Sequence, residues 1–112
     1  SNILQKGGNA IDAAIATQFA LAVVFPVAGN LGGGGFMVLR MKDGSIDALD
    51  YREKAPAAAT TNMYIGETGE VDAMLSQQGH LASGVPGTVA GLAEAHKKYG
   101  KLPWADLVQP AI

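Results

Sequence analysis

The run Gly29-Asn30-Leu31-Gly32-Gly33-Gly34-Gly35-Phe36 leads into a hairpin pattern that closes at Asp50-Tyr51-Arg52-Glu53-Lys54-Ala55-Pro56. Residues 36–41 form a β-branched and apolar run, and residues 46–52 form a second strand-like run. Between them stands Asp43-Gly44, a dipeptide typical of two-residue hairpin turns. The sequence therefore predicts an antiparallel β-hairpin whose first strand is directly preceded by four glycines.

The predicted turn also determines which residues face each other, because the register of a hairpin follows from its turn. With Asp43 and Gly44 as the central turn residues, Arg40 pairs with Asp47, and their opposite charges favour this register. Side-chain alternation then sets Arg52 opposite Gly35, on the more apolar face of the hairpin. The apolar side chains predicted for that face are Met37, Leu39, Ile46 and Ala48.

An arginine on a mostly apolar face needs a partner, because an unpaired buried charge is costly and guanidinium keeps its proton. One hypothesis is a ligand carboxylate, bound in a small pocket that the missing side chain of Gly35 leaves free. The other is an internal ion pair of Arg52 with Asp50 or Glu53, and structural ion pairs are more common than ligand sites. The residue pattern leaves both hypotheses open and favours the ion pair.

Four segments of the chain resemble the γ-glutamyltransferases (glutathione hydrolases), a family of N-terminal-nucleophile hydrolases. The segments are Gly7-Gly8-Asn9-Ala10-Ile11-Asp12-Ala13-Ala14, Gly29-Asn30-Leu31-Gly32-Gly33-Gly34-Gly35-Phe36, Tyr51-Arg52-Glu53-Lys54-Ala55-Pro56 and His80-Leu81-Ala82-Ser83-Gly84-Val85-Pro86-Gly87-Thr88-Val89-Ala90-Gly91-Leu92. They span nearly the whole chain, and four matches in order are more specific than any one of them. In that family the arginine of the Arg-Glu-Lys-Ala-Pro segment binds the α-carboxylate of the γ-glutamyl group. The resemblance therefore implies a substrate-binding role for Arg52 and reverses the preference for an ion pair.

The resemblance also implies a fold and an activity. The expected fold class is α+β, part of a four-layer α/β/β/α sandwich, with residues 1–112 as a single segment from the N-terminal part of the large subunit. The intact enzyme is expected to cleave γ-glutamyl amides such as glutathione and to pass the γ-glutamyl group to water or to an amino-acid or peptide acceptor. No cofactor is expected.

Family members are made as a precursor that cuts itself, and the nucleophile is the new N-terminal threonine of the small subunit. The resemblance therefore implies that this small subunit is a partner of the chain, and that the 112 residues alone are catalytically inactive. Bacterial members are mostly periplasmic or secreted, so the same location is expected here, although these residues contain no signal peptide pattern.

Two other functions are compatible with the same residues. A related acylase of the same fold could act on another acyl amide, such as a glutaryl side chain of a β-lactam. A non-catalytic module could bind carboxylates or dock onto another subunit. A panel of acyl donors separates the first alternative from γ-glutamyl transfer, and titration with glutamate tests the second.

Three helices are predicted from apolar periodicity and cap residues. Residues 9–25 are apolar nearly all round, with Asn9 as N-cap and Asp12 in the first turn. A membrane span needs about 20 apolar residues, and this run is shorter, so a helix buried between a sheet and other helices is the better interpretation. Residues 88–99 and 103–112 show the spacing of two further helices.

Composition excludes several classes of function. The net charge is −2, and no basic cluster exceeds His96-Lys97-Lys98, so nucleic-acid binding is not expected. The chain has no cysteine, which excludes disulfides and thiolate metal sites. The two histidines lack a third ligand at a useful spacing, so no metal site is predicted. Hydrophobic residues make up 48% of the chain and charged residues 16%, which suggests that some apolar surface faces a partner.

Two motifs invite a catalytic or nucleotide-binding interpretation that the chain does not favour. The glycine run stands between a helix and a strand, whereas a phosphate loop stands between a strand and a helix N-terminus. His80 and Ser83 are three residues apart, but they lack the spacing and the preceding strand of a nucleophile elbow. Ser1 would present an N-terminal hydroxyl. In the N-terminal-nucleophile hydrolases, however, the nucleophile begins a β-strand, whereas Ser1 precedes residues 3–7, which are predicted to be the last turn of a helix closed by Gly7. Residues 57–79 give only weak patterns, with a turn at Glu67-Thr68-Gly69.

Overall fold

A computed structural model describes residues 2–112 of the chain. Ser1, for which no catalytic role is predicted, lies outside the described residues. The chain divides into two compact units, of which one comprises the residues up to Glu53 together with Pro86–Ile112 and the other comprises Lys54–Val85. Helices and one two-stranded antiparallel sheet make up the regular structure, so the predicted α+β class is confirmed.

Four helices and both strands belong to the first unit. In chain order they are α1 (Asn2–Gln5), α2 (Ala10–Val24), β1 (Phe36–Arg40), β2 (Ile46–Asp50), α3 (Thr88–Tyr99) and α4 (Trp104–Val108), which continues into a short 3₁₀ helix at Gln109–Ala111. The predicted helices thus lie within a few residues of their expected positions. The start of α2 was predictable because its cap is a local signal.

Helix α2 begins with a complete capping box. The side chain of Asn9 accepts a hydrogen bond from the backbone N–H of Asp12, and Asp12 Oδ2 accepts one from the backbone N–H of Asn9. Asp12 is fully buried, and its two carboxylate oxygens also accept the backbone N–H of Lys101 at 3.1 and 3.2 Å. A buried carboxylate is tolerated when N–H donors surround it, so Asp12 joins the start of α2 to the segment between α3 and α4.

The hydrophobic core of the first unit forms around the N-terminal two-thirds of α2. Ile15 and Leu107 are fully buried, and Phe19 packs edge-on against Trp104 with ring centroids 5.4 Å apart. The C-terminal end of α2 is different, since Val24 is 75% exposed. The predicted buried helix is thus buried over its first turns and exposed at its last turn in the described chain.

The hairpin has a different loop from the one predicted. The backbone N–H of Met41 donates to Ser45 O at 2.8 Å, so the loop contains three residues, Lys42, Asp43 and Gly44. Gly44 has φ +89°, as the last residue of this kind of loop requires. The carboxylate of Asp43 accepts both the backbone N–H and the hydroxyl of Ser45, which stabilises the longer loop.

The longer loop shifts the register by one residue. Arg40 pairs with Ile46 and Leu39 pairs with Asp47, so the predicted pairing of Arg40 with Asp47 is wrong. One face of the hairpin, bearing Met37, Leu39 and Leu49, turns towards the core. The other face bears Phe36, Val38 and Ile46, which are 63%, 77% and 70% exposed.

Helix α3 packs against the end of β2 through two glycines. A Cβ atom at Gly91 would overlap Cβ and the ring base of Tyr51, and one at Gly87 would overlap the carbonyl group of Tyr51. At its other end α3 is joined to β2 by a hydrogen bond from the hydroxyl of Tyr99 to Asp47. This bond lowers the pKa of Asp47 and raises the pKa of Tyr99.

The second unit contains little regular structure. A bridge between Lys54 and Val85 joins its two ends, through backbone bonds of 3.2 and 2.8 Å. Inside it, Ile65 bridges to Val71 around a turn in which Gly69 has φ +82°, so the predicted turn at this position is confirmed. Short 3₁₀ helices follow at Ala73–Ser76 and His80–Ala82.

We expect Gly91→Ala to destabilise the intact protein. In an open helix this change stabilises by roughly 0.5–1 kcal/mol, but overpacking against the fixed ring base of Tyr51 costs about 1–3 kcal/mol. Thermal unfolding of both proteins measures the sign. Gly32→Ala is the matched control, because a Cβ there meets only Asn30 Oδ1 at 3.5 Å. A melting temperature of Gly91→Ala at or above that of the wild type would show that α3 does not pack on Tyr51 in this way.

Candidate carboxylate-binding site

Arg52 lies just beyond the end of β2, on the exposed face of the hairpin. The backbone of Tyr51 still pairs with Gly35, through bonds of 3.0 and 3.4 Å, and alternation then places Arg52 on the same face as Asp50 and Phe36. Gly35 is therefore opposite Tyr51, and the prediction that it is opposite Arg52 is wrong. The predicted face is wrong for its β1 residues, because Met37 and Leu39 lie on the other side of the hairpin, whereas Ile46 and Ala48 share the face of Arg52 as predicted.

The guanidinium group of Arg52 is largely open to solvent. Its side chain is 65% exposed, and Nε lies 3.6 Å from Oε2 of Glu53. At this exposure the pair is a weak surface contact rather than a buried ion pair. Within residues 2–112 no other carboxylate forms an ion pair with Arg52. Of the two predicted ion-pair partners, Glu53 is thus in contact, while Asp50 binds only the backbone N–H of Arg52, at 3.1 Å.

The side chain of Phe36 is the second neighbour of the guanidinium. Cζ of Arg52 lies over the Phe36 ring, 5.9 Å from its centroid. The sequence did not reveal this contact, because the predicted register paired Phe36 with Tyr51 rather than with Asp50. A one-residue shift moves every side chain of one strand to the opposite face.

The main chain of residues 51–53 lies in close contact with the glycine run. A Cβ atom at Gly34 would lie 2.5 Å from Tyr51 O, 2.8 Å from Cα of Arg52 and 2.8 Å from the backbone N of Glu53. No side chain fits into such spaces, so Gly34 is required for this approach. The backbone that carries Arg52 is thereby fixed against the chain that enters β1.

The start of helix α3 holds the same region from another side. The carbonyl oxygen of Gly33 accepts the backbone N–H groups of Gly87 and Thr88, at 2.9 and 3.0 Å. Free N–H groups at a helix start normally need such partners. Because a backbone carbonyl already uses these two donors, the glycine run serves for close packing, as predicted, and resembles no phosphate loop.

Other candidate residues do not assemble a catalytic site within the described chain. His80 and Ser83 are joined by a backbone turn bond of 3.4 Å, and their side chains show no hydrogen bond to each other. His96 is used structurally, since its Nε2 lies 2.7 Å from Leu102 O and its ring packs on Trp104. Burial raises the pKa of Tyr51 above its ordinary value.

Neither of two surface cavities reaches Arg52. Two cavities of about 730 and 340 Å³ are lined by residues 65–75 and by residues of α1 and α2 with Pro110, respectively, and Arg52 lines neither. A search over residues 2–112 finds no group of three side chains suited to a metal ion. None of the helices in that range has the length and apolar character of a membrane span. The predicted pocket beside Arg52 stays a prediction.

Comparison with known proteins relates the chain to enzymes. The family model described as Gamma-glutamyltranspeptidase matches residues 1–112. The glutathione hydrolase proenzyme of Pseudomonas aeruginosa is 61% identical over 112 residues, which are 100% of this chain and 20% of that protein. The chain thus spans about a fifth of the length of this curated relative.

Solved structures give the same relation. The γ-glutamyltranspeptidase of Pseudomonas nitroreducens, in complex with L-DON, superimposes with a TM-score of 0.92 at 61% identity, over 98% of this chain and 32% of that one. A cephalosporin acylase of Bacillus halodurans superimposes less closely, with a TM-score of 0.81 at 36% identity, over 98% of this chain and 20% of that one. The acylase alternative is therefore not favoured, although the fold is shared.

The match of the family model covers every residue of the chain, and identity to a named relative is high over the same length. Three of the four segments that suggested the resemblance also form the close contacts around Arg52, namely the glycine run, residues 51–53 and the start of α3. Sequence, structure and comparison thus agree, and the chain belongs to the γ-glutamyltranspeptidase family.

Proposed function

We propose that the intact protein containing this chain is a γ-glutamyltransferase and glutathione hydrolase. It cleaves the γ-glutamyl amide bond of a donor such as glutathione and transfers the γ-glutamyl group to water or to an amino-acid or peptide acceptor. The observation that carries this proposal is the match of all 112 residues to the γ-glutamyltranspeptidase family. The identity of 61% to a glutathione hydrolase proenzyme supports the hydrolytic activity.

In this proposal Arg52 binds the α-carboxylate of the γ-glutamyl donor. Three properties of the site support that role. The guanidinium is exposed and only weakly paired with Glu53, so donors remain for a ligand. Its backbone is fixed against Gly34, so the point from which the side chain extends is defined. Guanidinium binds a carboxylate through two parallel hydrogen bonds, which fixes the orientation of the ligand as well as its place.

The chemical step belongs to a second part of the protein. The small subunit, cut from the same precursor, supplies an N-terminal threonine whose hydroxyl oxygen forms an ester with the γ-carbonyl carbon. The amide C–N bond breaks and the amine leaves with a proton; water or an acceptor amine then cleaves the ester. This chain contributes to the large subunit and is inactive alone.

We also propose a periplasmic or secreted location, which cell fractionation of the source organism tests.

Binding at Arg52 affects rate as well as affinity. The α-carboxylate is remote from the scissile amide, and holding it restricts where the amide carbonyl can lie. A fixed approach of carbonyl and nucleophile lowers the entropic part of the barrier. Loss of the planar guanidinium should therefore lower kcat in addition to raising KM.

We expect Arg52→Lys in the intact enzyme to mature normally and to lose about 10- to 100-fold in kcat/KM for a γ-glutamyl anilide, because lysine keeps the charge without the two-pronged geometry. Steady-state kinetics measure the loss. Arg40→Lys is the matched control, since Arg40 is an exposed arginine on the same hairpin face. Wild-type kinetics for Arg52→Lys would show that Arg52 does not bind the donor.

We further expect the intact enzyme to prefer a γ-glutamyl anilide to a glutaryl anilide. The two acyl groups differ by the α-amino group, and a site that forms hydrogen bonds to that group rejects a donor lacking it by a factor of roughly 10⁴. Initial rates with both anilides, at equal enzyme concentration, measure this preference. Equal or faster cleavage of the glutaryl donor would instead assign the protein to the acylases.

A further inference from the structure

The ring of Phe36 is placed to support the guanidinium of Arg52. Phe36 is the first residue of β1 and pairs with Asp50. Arg52 comes two residues after Asp50, so its side chain lies on the same face of the hairpin as Phe36. The guanidinium carbon lies over the ring at 5.9 Å from its centroid, within the range of cation–π contacts. The hairpin register therefore brings an aromatic face to the candidate ligand residue.

Two contacts meet the guanidinium from different directions. Glu53 approaches its Nε atom at 3.6 Å, and the Phe36 ring lies beside its central carbon, which is 5.9 Å from the ring centroid. A long arginine side chain has many rotamers, and ordering it on ligand binding costs free energy. Contacts that already restrict the group in the free protein reduce that cost. The aromatic ring takes up none of the guanidinium N–H donors in a conventional hydrogen bond, so the donors that do not face Glu53 stay available to a carboxylate.

The position of Phe36 does not fit a role in the hydrophobic core of the described chain. Its side chain is 63% exposed, and it is not among the buried residues around α2. Val38 lies on the same face with 77% exposure but pairs with Ala48, further along the hairpin from Arg52. The contact with Arg52 thus distinguishes Phe36 from its equally apolar neighbour.

We propose that Phe36 is a positioning residue for donor binding, which holds the guanidinium of Arg52 in the orientation that receives the α-carboxylate. This inference rests on the proposed function, because it requires Arg52 to bind the donor. Phe36 itself acts through Arg52 and has no role in the chemical step. Once the donor is bound, its carboxylate itself orients the guanidinium, so loss of the ring should raise the cost of ordering Arg52 on binding and change turnover little.

Kinetics of the matured, intact enzyme test this role. Phe36→Leu keeps an apolar side chain without a π face and should raise KM for a γ-glutamyl anilide about two- to fivefold, with kcat unchanged. Phe36→Tyr keeps the ring and should restore the wild-type KM. Val38→Ala, on the same face, should leave both constants unchanged. If Phe36→Leu does not mature, Phe36→Met replaces it with the same expected result.

A double-mutant cycle shows whether the effect passes through Arg52. In an Arg52→Gln background no guanidinium remains for the ring to hold, so Phe36→Leu should no longer change KM. A KM change of the same size in both backgrounds would overturn the proposal. So would an unchanged KM for Phe36→Leu, or a parallel loss of kcat and melting temperature that Phe36→Tyr does not restore.

The same experiments separate this inference from the proposed function. If Arg52→Lys impairs donor cleavage while Phe36→Leu leaves KM unchanged, Arg52 binds the donor without help from Phe36, and only the positioning role is overturned. If Arg52→Lys has wild-type kinetics, the role of Arg52 fails, and the positioning role of Phe36 fails with it.

Discussion

The close approach of the main chain of residues 51–53 to the glycine run is the constraint on which the rest of the site depends. At Gly34 the space for a side chain is already filled by backbone atoms of Tyr51, Arg52 and Glu53. At Gly87 it is filled by the carbonyl group of Tyr51. Glycine is the one residue that permits such distances. Three segments distant in sequence thus meet through their backbones, which bend far less freely than side chains.

This backbone contact gives an exposed side chain a fixed point of attachment. Arg52 is exposed and has only Glu53 and Phe36 close to its guanidinium, so its own contacts define it weakly. Its Cα, by contrast, lies against Gly34, and the adjoining residue Tyr51 is packed under helix α3. A cationic side chain that binds a small ligand needs both a rigidly held backbone and free hydrogen-bond donors. The proposed binding of the donor carboxylate follows from it.

Some features were predictable from sequence because their causes are local. The start of α2 follows from Asn9 and Asp12, which satisfy each other's backbone groups within one turn. The hairpin itself follows from two strand-like runs and a turn signal. The register of the hairpin cannot be predicted in the same way, because Asp43-Gly44 occurs in hairpin loops of two and of three residues. The hydrogen bonds from Ser45 to Asp43 accompany the longer loop, and this one-residue difference moved Arg52 to the other face.

The site was predictable in part. Pattern alone gave an arginine with two alternative partners, and the family resemblance selected the ligand role, which geometry by itself does not establish. Residues 57–79 gave little, because a segment with a short bridge and a 3₁₀ turn has no period that sequence reveals. The contact of Phe36 with Arg52 required the correct register, and the packing of Gly34 on Arg52 required coordinates.

A crystal structure of the intact enzyme with bound glutamate tests the central claim most directly. We expect the α-carboxylate oxygens at about 2.7–3.2 Å from the terminal nitrogens of Arg52, with the main chain of residues 51–53 still packed on Gly34. A glutamate whose carboxylate is bound by other groups, with Arg52 beyond hydrogen-bond distance, would contradict the account.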